Sequence, residues 1–215
     1  MATKAVLFDL DGTLADSLAD IATSTNACLH AMDLPTHPPS AYPGFVGHGI
    51  RVLVQRALAP LGAAAREQEL LATLRIHYSA HSTDHTVPYP GIVDLLAALR
   101  SRGLKLAVVS NKPDDMTQCI VQTLFPDAGF GFVTGECEAA PRKPDPTGIL
   151  LACRTLGVQP EDALYVGDTP VDVQAAAAAG LRCVAVSWGF RDRTTLEAAG
   201  PDHLVDRADA ILDCL

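Results

Sequence analysis

Four short apolar runs constrain this chain more than any other feature: Ala5-Val6-Leu7-Phe8, Leu104 to Val109, Ala163 to Val166, and Cys183 to Val186. Their hydrophobicity is continuous rather than alternating, which predicts strands buried on both faces, as in a parallel sheet covered by helices. Segments of helical period separate them. Ile92, Leu95, Leu96 and Leu99 fall at i, i+3, i+4 and i+7, and Ile149, Cys153 and Leu156 form a similar stripe. The alternation of strand and helix predicts an α/β fold with a doubly wound, Rossmann-like parallel-sheet core.

The rhythm fails once. From about Ser17 to Val87 no strand is predicted, only helical stretches such as Ile50, Leu53, Val54, Ala57, Leu58 and Leu61. Pro35, Pro38, Pro39 and Pro43 punctuate the segment, and Pro88-Tyr89-Pro90-Gly91 closes it. Roughly 70 residues without a strand are too many for an ordinary loop, so a helical insert is expected directly after the first strand. The expected division is a core of residues 1–15 and 88–215 and a helical cap of residues 16–87, hinged near Ala15-Asp16 and Val87-Pro88. A chain of 215 residues accommodates one domain with such an insert. The alanine run 175–179 reads as a close-packed helix.

Charge narrows the function classes. Asp and Glu total 25 against 16 Lys and Arg, a net charge of −9, so the basic field that nucleic acids demand is missing. Of those acids, 19 are Asp, a residue at home in caps, turns and metal sites. Six cysteines show no CxxC spacing, which predicts reduced thiols and a cytoplasmic protein. The first apolar run is broken by Asp9 and Asp11, so neither a signal peptide nor a membrane span is expected. The expected partner is a small molecule, with no nucleic acid and no membrane, and the chain itself a monomer or homodimer.

In an open parallel sheet, ligands bind at the carboxyl ends of the strands. Here three apolar runs lead directly into polar groups: Asp9, then Ser110-Asn111-Lys112, then Asp168. Lys143 stands in the Arg142-Lys143-Pro144-Asp145-Pro146 loop before a helix. Any one strand can simply end on a polar residue, but three doing so predict a common rim of carboxylates, a hydroxyl and an ammonium.

Those same residues carry a resemblance. Asp9-Leu-Asp11-Gly-Thr13-Leu, Ser110-Asn111-Lys112, Lys143-Pro144 and Gly167-Asp168-Thr-Pro-Val-Asp172 resemble, in order, the four motifs of the haloacid dehalogenase-like hydrolase superfamily. The segment Val46-Gly-His-Gly-Ile-Arg51, with Tyr89-Pro-Gly91 and Ser187-Trp-Gly189-Phe190, is similar to its phosphoglycolate phosphatase-like family. The resemblance implies a helical cap and a Mg²⁺-dependent phosphatase. Asp9 is then the nucleophile that forms an aspartyl-phosphate, and Asp11 protonates the leaving group and activates water. Lys143 supplies positive charge, while Ser110 and Asn111 grip phosphoryl oxygens. The implied metal ligands are Asp9, the Asp11 backbone carbonyl and Asp168, with Asp172 orienting a water or Lys143. The implied substrate is a small phosphate ester, 2-phosphoglycolate first. A sugar phosphate such as N-acetylmuramic acid 6-phosphate or a hexose phosphate is the alternative. A receiver-like signalling module shares the Asp, Ser and Lys pattern, but Asp11 and the long cap argue against it.

Several residues have plainer readings. Thr13 is a candidate substrate contact, and Gly12-Thr13 also fits a simple turn. Thr169, Pro170 and Asp172 fit N-cap, N1 and N3 of a helix. Lys112 is a candidate substrate contact with a solvated loop lysine as its plainer reading, and Ser17 with Asp20 reads as an N-cap pair. His77, His81 and His85 have the spacing of metal ligands on one helical face, but no HExxH accompanies them and Ser82-Thr83-Asp84 is expected to end the helix before His85, so an ordinary polar cap face is the expectation. Gly44, Gly47 and Gly49 would let the cap backbone approach a substrate. Arg51 or His48, beside the start of a helix near Ile50, would read a small carboxylate.

Overall fold

The computed structural model describes residues 3–215. Strand β1, Ala5–Phe8, is followed by a two-residue strand β2, Ala15–Asp16, and then by three helices, α1 (Leu18–Ala31), α2 (Ile50–Leu58) and α3 (Glu67–His81). Strand β3, Val87–Pro88, closes this excursion by pairing antiparallel with β2, so Ala15 faces Pro88 and Asp16 faces Val87. The remaining elements alternate: α4 (Ile92–Ser101), β4 (Lys105–Pro113), α5 (Asp114–Leu124), β5 (Phe132–Glu136), α6 (Thr147–Leu156), β6 (Ala163–Gly167), α7 (Pro170–Ala179), β7 (Arg182–Val186), α8 (Arg193–Ala199) and β8 (His203–Val205).

The main sheet has the order β5-β4-β1-β6-β7-β8, with every pair parallel. The chain winds outward from β1 through β4 to β5, then crosses back to β6 on the other side. That reversal puts the switch-point crevice of a doubly wound sheet beside β1. The continuous apolar run of β1 is two alternating faces, each covered. Val6 and Phe8 pack with Ile92, Leu95, Leu96 and Leu99 of α4, and Ala5 and Leu7 pack with Ile149, Cys153 and Leu156 of α6 and the alanines of α7. Strands β5 and β8 lack such a run. They lie at the two edges of the sheet, where Phe132, Val133, Leu204 and Val205 are only half-buried.

The inserted helices have their own apolar centre, built from Ile21, Leu29, Leu53, Val54, Leu58, Leu70, Leu74 and Tyr78, and joined by Met116 of α5. The cap therefore docks on the core through α5, above the carboxyl ends of the strands. Asp20 departs from its expected capping role. Ser17 makes no side-chain cap, and buried Asp20 reaches across the mouth of the insert, accepting hydrogen bonds from the backbone N–H of His85 (2.9 Å), the Thr86 N–H (2.8 Å) and the Thr86 hydroxyl (2.6 Å). It ties the entry of the cap to its exit. Among the described residues no helix is long and apolar enough to cross a membrane.

Candidate active site

Asp9 follows β1 directly, and its backbone N–H donates to Val166 of β6, so the acid stands in the crevice between the two strands. Its carboxylate is engaged asymmetrically. The Leu10 N–H (2.7 Å) and the Lys143 ammonium (3.0 Å) both meet Oδ1, and no donor among the described residues engages Oδ2. Lys143 Nζ also lies 2.7 Å from Asp172 Oδ1 and donates to the Tyr165 hydroxyl at 2.8 Å. Tyr165 in turn donates to the Val109 carbonyl, so its lone pairs are left to face the ammonium. Asp172 has both of its expected roles: it pairs with Lys143 and completes a capping box with Thr169 at the start of α7.

Asp168, at the end of β6, is fully buried and accepts from the Phe190 N–H (2.8 Å) and the Thr13 hydroxyl (3.3 Å). Oxygens of Asp9, Asp168 and Asp172 lie within 4.8 Å of one another. Burial pushes the Asp168 carboxyl well above the usual carboxylate range, and the charges of Asp172 and Asp9 add to the shift. Asp9 rises to about 6, chiefly through burial, although the Lys143 charge opposes the change. A Cβ at Gly12 or Gly189 would collide with the Asp168 carboxylate, so those two glycines form a cradle around it.

Asp11 faces a different set of groups. Its Oδ1 accepts from the Ser17 hydroxyl at 2.5 Å, and its Oδ2 lies 3.0 Å from the Lys112 ammonium. Lys112 departs from the expectation of a solvated loop lysine. Strand β4 runs on through Ser110-Asn111-Lys112 to Pro113, which buries Lys112 and aims its ammonium at Asp11 and at the Tyr78 hydroxyl of α3, 2.6 Å away. Asp9, Asp11, Ser110 and Lys112 form the core wall of a cavity, and Ile21, Thr25, Leu53, Leu74 and Tyr78 form its cap wall.

The other expected substrate contacts divide. Ser110 is buried at the cavity wall, its Oγ 3.3 Å from the Lys112 N–H. The Asn111 side-chain amide is committed elsewhere: Nδ2 donates to the carbonyls of Gly47 and Lys143, and Oδ1 accepts from the Lys143 N–H. It positions the Lys143 loop against the cap rather than reaching for a ligand. Thr13 is fully buried and carries Asp168. Arg51 turns outward to Glu67, at 2.6 Å, because Ile50 takes the cavity-facing position and the next helical residue is rotated about 100° away. The His48 side chain lies outside the cavity, beside Arg56 and Arg191, and burial with those charges holds its pKa below the usual histidine value. The glycines do bring backbone to the site: Gly47 and Gly49 have φ of 98° and 82° and line the cavity with Ile50.

Sequence reasoning missed two arginines that hold this cap loop. Arg191 donates to the carbonyls of Pro43 and Val46, and Arg142 donates to that of His48. His77 and His81 stack at 4.5 Å on α3, which ends before His85. Among the described residues, the carboxylates at Asp9, Asp168 and Asp172 are the one metal-type grouping.

The sequence profile of the haloacid dehalogenase-like hydrolases matches residues 6–186. The chain belongs to that family. It is 34% identical over 217 aligned positions to phosphoglycolate phosphatase 1 of Pseudomonas aeruginosa, covering 98% of this chain and 79% of that protein. To the phosphoglycolate phosphatase of Aquifex aeolicus it is 35% identical, covering 95% and 92%. Among solved structures, a protein described as a putative phosphoglycolate phosphatase from Lactobacillus delbrueckii subsp. bulgaricus superposes with a TM-score of 0.95 at 32% identity, over 100% of this chain and 98% of that one. Family membership and the helical cap set the receiver-like reading aside; the chain is a hydrolase.

The acidic grouping suits a divalent cation. Three carboxylates meet a single ammonium, and Lys143 pairs only with Asp9 and Asp172. Asp168, buried without an ammonium partner and cradled by glycines, presents hard oxygen donors of the kind that Mg²⁺ prefers.

Proposed function

We propose that this hydrolase is a Mg²⁺-dependent phosphatase that converts 2-phosphoglycolate to glycolate and inorganic phosphate through an aspartyl-phosphate on Asp9. The observation that carries the reading is the asymmetry of Asp9. Both donors fix Oδ1, which leaves Oδ2 free to attack phosphorus.

Asp11 is kept apart from that cluster by Ser17 and Lys112, and this separation lets two carboxylates on one loop take different roles. As the Asp9 Oδ2–phosphorus bond forms and the ester bond breaks, Asp11 delivers a proton to the departing oxygen. It then takes a proton from the water that attacks phosphorus and frees Asp9. Lys143 holds a fixed positive charge beside the nucleophile, where its three acceptors leave the ammonium little freedom. The Ser110 hydroxyl donates to a phosphoryl oxygen. Mg²⁺, held by the carboxylates of Asp9 and Asp168 and the Asp11 carbonyl, would offset the repulsion between the nucleophile and the phosphate dianion. Asp172 serves by orienting Lys143.

The substrate assignment is supported by the relatives named above. A kcat/KM panel over phosphoglycolate, hexose phosphates, N-acetylmuramic acid 6-phosphate, nucleotides and pyrophosphate tests it. Phosphoglycolate is expected to lead. A clear preference for a sugar phosphate would overturn the substrate and leave the mechanism standing.

A further inference from the structure

We propose that the Lys112 ammonium, completed by the Tyr78 hydroxyl of the cap, is the receptor for the carboxylate of the leaving group. The inference rests on the phosphoglycolate reading and says which residues enforce it. Arg51 pairs outward with Glu67 and His48 lies outside the cavity, so neither can serve. Among the described residues, Lys112 is the one Lys or Arg that lines the cavity.

Its ammonium has three donors. One points to Asp11 Oδ2 and one to the Tyr78 hydroxyl, and the third is available to a ligand. The Tyr78 phenol accepts from Lys112 and so keeps its own proton to donate. An ammonium and a phenol thus offer two donors to one anion, in a site that is out of water and strengthens charged hydrogen bonds.

Chain length fits as well. The departing oxygen must come within hydrogen-bond reach of Asp11, and Lys112 Nζ is 3.0 Å from that carboxylate. A carboxylate one carbon beyond the departing oxygen therefore falls within reach of the same ammonium. Tyr78 comes from α3 and Lys112 from β4, so the receptor is whole only when the cap sits on the core. That couples recognition of the acid to exclusion of water.

The test compares phosphoglycolate with ethyl phosphate, whose leaving group has the same chain length and no charge. In Lys112→Met, the ratio of kcat/KM for phosphoglycolate over ethyl phosphate is expected to fall by about 10- to 100-fold, whatever loss both esters share. Tyr78→Phe should lower the ratio by a smaller factor. Equal losses on both esters in Lys112→Met would overturn the proposal, reducing Lys112 to a support for Asp11, while the wild-type preference for phosphoglycolate would stand. Absence of that preference in the wild type would instead sink the phosphoglycolate reading and this inference with it. A measurement that needs no variant is inhibition of ethyl phosphate hydrolysis by free glycolate and by ethylene glycol. Glycolate should inhibit far better; equal inhibition overturns the receptor.

Discussion

Lys143 donates to Asp172 across 2.7 Å and reaches Asp9 with the same ammonium, so the loop before α6 and the first turn of α7 are joined beneath Asp9. Both partners are buried, and removing one leaves charge without compensation. Lys143→Met is expected to abolish turnover and to lower unfolding stability by about 3–5 kcal/mol, as read from urea titration. A variant as stable as the wild type would mean that the pair contributes nothing net.

Tyr165 fixes the direction of that ammonium. Its hydroxyl is held by the Val109 carbonyl and accepts from Lys143. Tyr165→Phe keeps the ring and its packing but frees Lys143 to tilt. We expect kcat to fall about tenfold with KM nearly unchanged. A rise in KM at constant kcat would assign Tyr165 to substrate binding instead.

Asp9→Asn should bring hydrolysis to background, because the amide cannot form the acyl-phosphate bond. Mass spectrometry of wild type quenched in acid during turnover should find phosphate on the peptide containing Asp9. Appreciable turnover by the Asn variant would remove Asp9 from the role of nucleophile.

Metal binding has a readout that needs no turnover. A ligand that binds only the folded state raises the melting temperature by mass action. Mg²⁺ should therefore raise the melting temperature of the wild type. The shift should shrink in Asp168→Asn and in Gly189→Ala, where the new methyl would press on the Asp168 carboxylate. An undiminished shift in both variants would place the cation elsewhere.

The Asp20 clasp is testable away from the site. Asp20→Ala leaves three donors at the exit of the cap without an acceptor. It should lower stability by about 2–3 kcal/mol and speed proteolysis near residues 82–87. A neutral effect in both measurements would show that β2 and β3 alone hold the hinge.

Strands β1, β4, β6 and β7 were legible because residues buried on both faces must be apolar at every position. Strands β5 and β8, half-buried at the edges, gave no such signal. Asp9, Ser110 and Asp168 were legible for a related reason: they stand where apolar runs stop, and a doubly wound sheet gathers those ends onto one rim, whereas Lys143 stands in the loop before α6. Thr13, Asn111 and Asp20 lie in the expected neighbourhood, but their side-chain partners are not legible in the sequence. Thr13 and Asn111 spend their polar atoms within the protein, Thr13 on Asp168 and Asn111 on the Lys143 loop and the cap. Asp20 spends its own on the other end of the insert.

By itself, then, the sequence determined the four inner strands of the sheet, the insert and the acids of the rim, because periodicity and strand-end chemistry are local properties of the chain. What only the tertiary structure decided is where the cap meets the core. Lys112 and Tyr78 lie far apart in sequence and touch because α3 docks over the end of β4. Arg51 is lost to the site because one step along α2 turns it toward Glu67. Such contacts depend on how two separately patterned bodies settle against each other, and no local stretch of sequence carries that information.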